Sequence, residues 1–207
     1  MAIQSRDGSI SLWPNTLAPL NMTVGIDRPL FKGPKPLSGR EQIVAHSAGG
    51  WIVNYDSIPI YGSKFLTFRA IWLDIAANGL AVYIKPEFNT YSLANRTGMS
   101  SDPGDCKLAA SCAQNATTLT VTNSSSYPVL AGDYIEIAGR LHIVKSIGGS
   151  TWTIWPPTRM AYDNLQPIQI YDPRLKAYLQ PDSRGYQMTL DMGRVSRMSL
   201  DFIEANW

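Results

Sequence analysis

Charge is scarce in this chain. Only 16% of its 207 residues are Asp, Glu, Lys or Arg, against 44% hydrophobic; soluble domains ordinarily carry about a quarter charged residues. Two readings fit the deficit: surface buried between subunits, or a β-protein whose exterior is polar through Ser, Thr and Asn. The formal net charge is +2 and no basic run stands out, so no phosphate-binding stripe is present and no specific nucleic acid is expected as a partner. No apolar stretch reaches the ~18–20 residues of a membrane span, so no membrane partner is expected either. Met1-Ala2-Ile3-Gln4-Ser5-Arg6-Asp7 lacks the basic-then-apolar pattern of a signal peptide. The expected product is soluble and made in a cytoplasm.

Groups for chemistry are equally few. The two cysteines, Cys106 and Cys112, are too few for a disulfide framework or a four-ligand zinc site. Free thiols and one local disulfide both remain open. Of the two histidines, His46 lies in Ala45-His46-Ser47-Ala48-Gly49-Gly50. That run is no G-x-S-x-G elbow, and His46 reads as a strand residue before a glycine turn. His142 alternates with Leu141 and Ile143, which predicts the outer face of a barrel strand. No third group is placed to orient either imidazole. Asp133 and Glu136 stand three apart on a strand and so point to opposite faces. Asp191 and Asp201 read as solvent-facing hairpin positions. Neither pair reads as the two carboxylates of a glycosidase, and phosphate-loop motifs are absent. Asn21, Asn95, Asn115 and Asn123 begin N-x-S/T triplets, which reflect composition. The sequence therefore predicts no enzyme: no catalytic residue, no bound cofactor and no metal ligand set.

Organisation is more legible. Pro14, Pro19, Pro29, Pro34 and Pro36 exclude a long helix from the first 40 residues. Leu12, Trp13, Leu17, Leu20, Met22, Val24 and Ile26 suggest an extended arm packed on a sheet or a neighbour. Gln42 to Ile60 is strand material, turned at Gly49-Gly50, with Trp51, Val53 and Tyr55 on one face. One amphipathic helix is expected over about Ser63 to Asn78. Ser63 would cap it. Phe65, Phe68, Trp72, Ile75 and Ala76 would form its inner face, broadened by Leu66, Leu73 and Ala77. Gly79 would close it in the left-handed conformation, and a strand Leu80–Ile84 follows up to Pro86.

Between about Asn95 and Gln114 small polar residues, Gly98, Pro103 and Gly104 suggest a linker. Short strands follow: Thr118–Thr122, Tyr134–Ile137, Leu141–Val144, Trp152–Trp155 and Ile168–Ile170, separated by Ala131-Gly132-Asp133, Gly139-Arg140 and Gly148-Gly149-Ser150. Such spacing suits a small barrel or sandwich. Tyr186, Met188 and Leu190 then face Met198, Leu200 and Phe202 across Gly193-Arg194, which predicts a hairpin. The expected fold is mainly β. Residues 1–97 with 172–207 form a β-sandwich with one α-helix, and residues 98–171 form an inserted OB-like β-barrel. In that barrel Trp152 and Ile154 read as core. Trp155 reads as outward and, with Tyr127 and Tyr134 nearby, could stack on a sugar ring.

Three stretches together resemble a known family: Phe65–Leu73 running on to Leu80–Ile84, Ala131–Ile137 with His142–Ile147, and Ser196–Phe202. Their order resembles the distal tail proteins of long-tailed (siphovirus) bacteriophages, of the T5-like type with an inserted OB-like barrel. The resemblance implies a structural virion protein at the tail tip: a homohexameric baseplate-hub ring linking the tail tube protein to the hub protein and to tail fibres. It implies no catalytic residues. The alternative is a carbohydrate-binding module that assists adsorption by holding a host surface glycan through Trp155 or Tyr134. A cell-wall hydrolase would need an acid pair or a metal site that the sequence does not display.

Overall fold

The computed structural model describes residues 11–27, 30–32, 43–45, 50–86, 106–123, 128–180 and 196–205. The fold is mainly β, a sandwich-type scaffold with one α-helix plus a small OB-like barrel. The scaffold sheet has six strands in the order β1-β6-β13-β14-β5-β2. These are β1 (Ser11–Leu12), β6 (Val82–Ile84), β13 (Leu175–Leu179), β14 (Ser196–Glu204), β5 (Gly50–Ile60) and β2 (Asn21–Asp27). Among the described strands only β1 and β6 run parallel. Strands early and late in the chain are thus interleaved: β14 pairs with β5 from Ser196↔Ile60 to Ile203↔Ile52, and β13 pairs with β6.

The N-terminal segment is part of this sheet and not an arm laid upon it. β1 and β2 form its two edges, and the 3₁₀ turn Asn15–Leu17 between them drops Trp13 and Leu17 into the core. Leu20, just before β2, and Ile26, near its end, are exposed and not packed as the sequence suggests. β3 (Leu30–Lys32) and β4 (Ile43–Ala45) pair only with each other among the described residues.

Strand β5 shows how local pattern follows the core. Trp51, Val53 and Tyr55 are buried, and then the parity changes to Ile58 and Ile60. The shift falls at a β-bulge where Asp56 and Ser57 oppose Ser199. Ser57 adopts φ 54° there. An extra residue restores the inward face after a slip that would otherwise send Ile58 to solvent.

The helix α1 (Lys64–Trp72) continues as a wider π turn over Leu73–Ala77. Gly79 closes it at φ 61°, with Asn78 N donating to Leu73 O at 3.1 Å and Leu80 N to Asp74 O at 3.0 Å. Ser63 is no cap: its own backbone is helical and its hydroxyl makes no capping bond. Instead Lys64 N and Phe65 N donate to Tyr61 O and Gly62 O, each at 3.2 Å. Phe68, Ile71 and Ile75 are buried, with Phe65, Trp72 and Ala76 packed beside them. Leu66 and Leu73 do not broaden that face; they are 69% and 45% exposed. At about 100° per residue they stand ~140–160° around the axis from Phe68.

The barrel sheet has the order β12-β9-β10-β11-β8-β7. Its strands are β7 (Cys106–Leu108), β8 (Thr118–Asn123), β9 (Tyr134–Ile137), β10 (Arg140–Gly148), β11 (Thr151–Trp155) and β12 (Ile168–Gln169). The segment read as a linker contains β7, whose Cys106 and Leu108 are buried in the barrel core. It closes the barrel: Leu108 N donates to Gln166 O and Leu165 N to Leu108 O, both at 3.0 Å, beside a bridge from Lys107 to Pro167. Ala138 and Gly139, at φ 48° and 77°, form the two-residue turn between β9 and β10, one residue earlier than the sequence suggested. Both positive φ values fit the tight hairpin turn that matches strand twist.

β13 was not apparent in the sequence, yet it lies beside β14. The strand read at Tyr186–Leu190, the turn Gly193-Arg194, and His46, Gly49, Tyr127 and Asp191 lie outside the described residues.

Candidate functional site

The densest group of buried polar side chains lies where the barrel meets the scaffold. Barrel strands β9, β10 and β11 each place one face on the barrel core and the other on the scaffold core. On β10, Val144 joins the barrel core while Leu141 and Ile143 pack with the scaffold. Tyr134 on β9 and Trp155 on β11 do the same. Alternation cannot tell inside from outside in a strand buried on both faces. That is why His142, expected on the outer face, is fully buried and shares its face with Val144.

Trp51 on β5 is the centre of the seam. Its ring meets Trp155 edge to face at 5.2 Å and 86°, and Tyr134 at 5.9 Å and 67°. Its Nε1 donates to Leu141 O at 2.8 Å. Trp155 does leave the barrel sheet outward, but into this cluster. Both it and Tyr134 are partly exposed. Trp152 and Ile154 are barrel core.

Glu204, at the end of β14, ties the same seam electrostatically. Its Oε2 accepts from Trp51 N at 3.1 Å and from Arg159 Nη2 at 2.9 Å. Arg140 Nη1 stands 3.7 Å from its Oε1 and donates to Ala205 O. Burial raises the Glu204 carboxyl above the ordinary carboxylate range, outweighing the pull of Arg159, Trp51 N–H and Arg140. A buried pair like this fixes geometry more than it stabilises.

A second polar chain runs along the seam. Glu136 Oε2 accepts from Arg174 N at 2.8 Å. Arg174 donates through Nε and Nη2 to Asp172 Oδ2 at 2.9 and 2.8 Å, and through Nη1 to Trp13 O at 3.2 Å. Lys85 Nζ meets Asp172 Oδ1 at 2.8 Å. Burial works to raise the Asp172 carboxyl, but Arg174 and Lys85 overcome it and hold the group low. Lys176 N donates to Gly139 O at 3.3 Å.

None of these groups is arranged as a nucleophile with a base. His142 Nδ1 lies 2.8 Å from Pro156 O. A carbonyl only accepts, so Nδ1 carries the proton and Nε2 the lone pair. Burial, aided by Arg159 and Arg140, lowers the imidazole to about 4. Burial also lifts the Tyr162 phenol to about 12. Asp133 Oδ2 accepts from Leu130 N at 2.7 Å, and Glu136 is committed to Arg174. Asp201 is half-buried on β14. Cys106 and Cys112 are free thiols, the latter raised by burial. Among the described residues no three His, Cys, Asp or Glu side chains gather as a metal site, and no helix is long and apolar enough to cross a membrane.

Exposed apolar surface lies elsewhere. Leu66, Leu73 and Leu80 recur every seventh residue along the outer side of the helix and its exit, with exposed Ala70 and Ala77 between them. Ile26 lies on β2, an outer strand of the sheet among the described residues, and Leu20 just before it; both are exposed. No family model matches the chain, and no curated protein matches it.

Proposed function

We propose that the chain is a structural phage virion protein: a distal tail subunit that closes into a hexameric ring and links the tail tube to the hub and fibres. The observation that carries this reading is the interleaving of β5 and β6 with β13 and β14, with the barrel strands coming between them in the chain. That is the element order on which the resemblance to distal tail proteins rests.

Two further features support it. Head-to-tail rings need two unlike surfaces on each copy, and the molecule has a β2 edge and, separately, an apolar outer helix stripe. The hairpin β3–β4 belongs to neither sheet among the described residues. An isolated two-stranded hairpin is marginal in water, so a neighbouring copy is its natural support. The seam would hold the barrel in one orientation on every subunit, as a ring with attached fibres requires.

The test is the mass and shape of the purified chain. Light scattering should give about 137 kDa, six copies of 22.8 kDa, and negative-stain images should show six-fold rings. A monomer at high concentration, with no ring at the tips of isolated tails, would remove the proposal.

A further inference from the structure

The chain holds a single Asn-Gly pair, Asn78-Gly79, and the fold sets it in the open. Both residues are exposed, just past the wide final turn of the helix. Gly79 stands at φ 61°, and a Cβ built on it would meet nothing within 4 Å. Among the described residues no hydrogen bond engages the Asn78 carboxamide or the Gly79 N–H. The carboxamide carbon and the next backbone nitrogen are an electrophile and a nucleophile side by side, and neither is held.

We propose that Asn78 is a site of self-modification through a cyclic imide. The Gly79 amide nitrogen, its proton taken by hydroxide, attacks Cγ of Asn78. The new N–Cγ bond closes a succinimide, the Cγ–Nδ2 bond breaks, and the leaving nitrogen takes up a proton and departs as ammonia. Water then adds to one of the two ring carbonyls and gives aspartate or isoaspartate; nothing is oxidised or reduced. The attack needs Asn78 to turn away from its ψ of −7°, which opens the Leu80 N–Asp74 O bond of 3.0 Å. Helix ends fray, and surface bonds of this kind open at little cost. Glycine lets the backbone follow, because it has no Cβ to restrict it. Either product puts a negative charge at the C-terminal end of the helix, where free carbonyls already concentrate negative charge. That charge stands between Leu73 and Leu80 of the exposed stripe. Isoaspartate also lengthens the main chain between the Asp74 carbonyl and the Leu80 N–H, so the bond that closes the helix weakens.

Peptide mapping by mass spectrometry tests this on the full chain kept in mildly alkaline buffer. The parent is followed beside the Leu66→Glu, Leu73→Glu chain, whose stripe stays uncovered, and beside the parent unfolded in guanidinium. Asn78 should become an acid ahead of every other asparagine, with isoaspartate the more abundant product and a rate that rises in proportion to hydroxide. Gly79→Ala should slow the conversion several-fold. Conversion in the double variant but not in the parent would equally support the site, as one that assembly covers. Asn78 left intact in both folded chains would overturn the proposal, whether or not the unfolded chain converts. Aspartate formed without isoaspartate would overturn it too, because that product does not pass through the imide.

Discussion

The Trp51 indole of β5 and the Trp155 indole of β11 meet edge to face, 5.2 Å apart and at 86°. One belongs to the scaffold sheet and the other to the barrel sheet, so this contact and the Trp51 Nε1–Leu141 O bond are what a hinge at the seam would have to break. The first prediction follows from it. Trp51→Ala should cost ~3–5 kcal/mol as a large core truncation. Trp51→Phe should cost about 1–3 kcal/mol, since it strands the buried Leu141 carbonyl while keeping a ring. Urea unfolding gives both numbers. Equal costs for the two variants would mean that the aromatic packing contributes little.

Glu204 and its two arginines invite the opposite kind of change. Glu204→Ala leaves buried Arg140 and half-buried Arg159 without their carboxylate, and the expected loss is ~3–5 kcal/mol. Removal of Glu204 together with Arg159 should cost less than the two single losses added, because their effects are coupled. A double-mutant cycle in urea measures the difference, and strict additivity would contradict the pairing.

Acid should weaken the fold through His142. Its folded value of about 4 lies below the ordinary 6.5, so the unfolded chain takes up the proton first. Stability is then complete above ~pH 6.5 and is lost as pH falls toward 4, by ~3 kcal/mol at 1.36 kcal/mol per unit. Glu204, shifted upward by burial, acts in the opposite sense. Its cost in the folded state is relieved as it protonates, which offsets part of the loss. Asp172, held low, adds a loss only in stronger acid. Comparing the pH slope of urea stability in the parent and in His142→Asn isolates the histidine. An unchanged slope would show that His142 is not the titrating group.

Gly139 is held where no side chain fits. Its φ is 77°, and a Cβ there would lie 3.0 Å from Tyr83 Oη. Gly139→Ala combines backbone strain with that collision, and ~1–3 kcal/mol of destabilisation is expected. Placing the same change in a Tyr83→Phe background removes the struck oxygen and should recover part of the loss. Thermal unfolding of the four proteins provides the check.

The ring proposal makes its own prediction. Leu66→Glu with Leu73→Glu should dissociate the hexamer to monomers. Stability of the monomer should change by no more than ~0.5 kcal/mol per site, as befits solvent-facing positions. Scattering mass and circular dichroism together separate this outcome from misfolding. Retained hexamers would exclude the helix stripe from the interface.

Much of the fold was legible in the residues themselves. Strands β8 to β11 follow clean alternation and glycine turns. Trp51, Val53 and Tyr55 announce an inward face, and Gly79 marks the helix end. Other elements were hidden for identifiable reasons. β7 has three residues and lies among Gly, Pro and Ser, so its pattern is shorter than one full alternation. Arg174-Leu175-Lys176-Ala177 mixes charge with small side chains and conceals β13. At Ser57 a bulge breaks the parity on which strand reading depends.

What the amino-acid order determined alone was local: where the chain extends, where it turns, and which single helix it forms. Hydrogen-bond geometry and side-chain periodicity act over a few residues and need no partner to be read. The seam was decided only by tertiary structure. His142, Trp155, Tyr134 and Glu136 lie on strands covered on both faces, and one strand's alternation carries no record of what packs on its far side. Glu204 and Arg159 stand 45 residues apart in the chain, and only folding brings their charges to one point in a dry interior, where each needs the other.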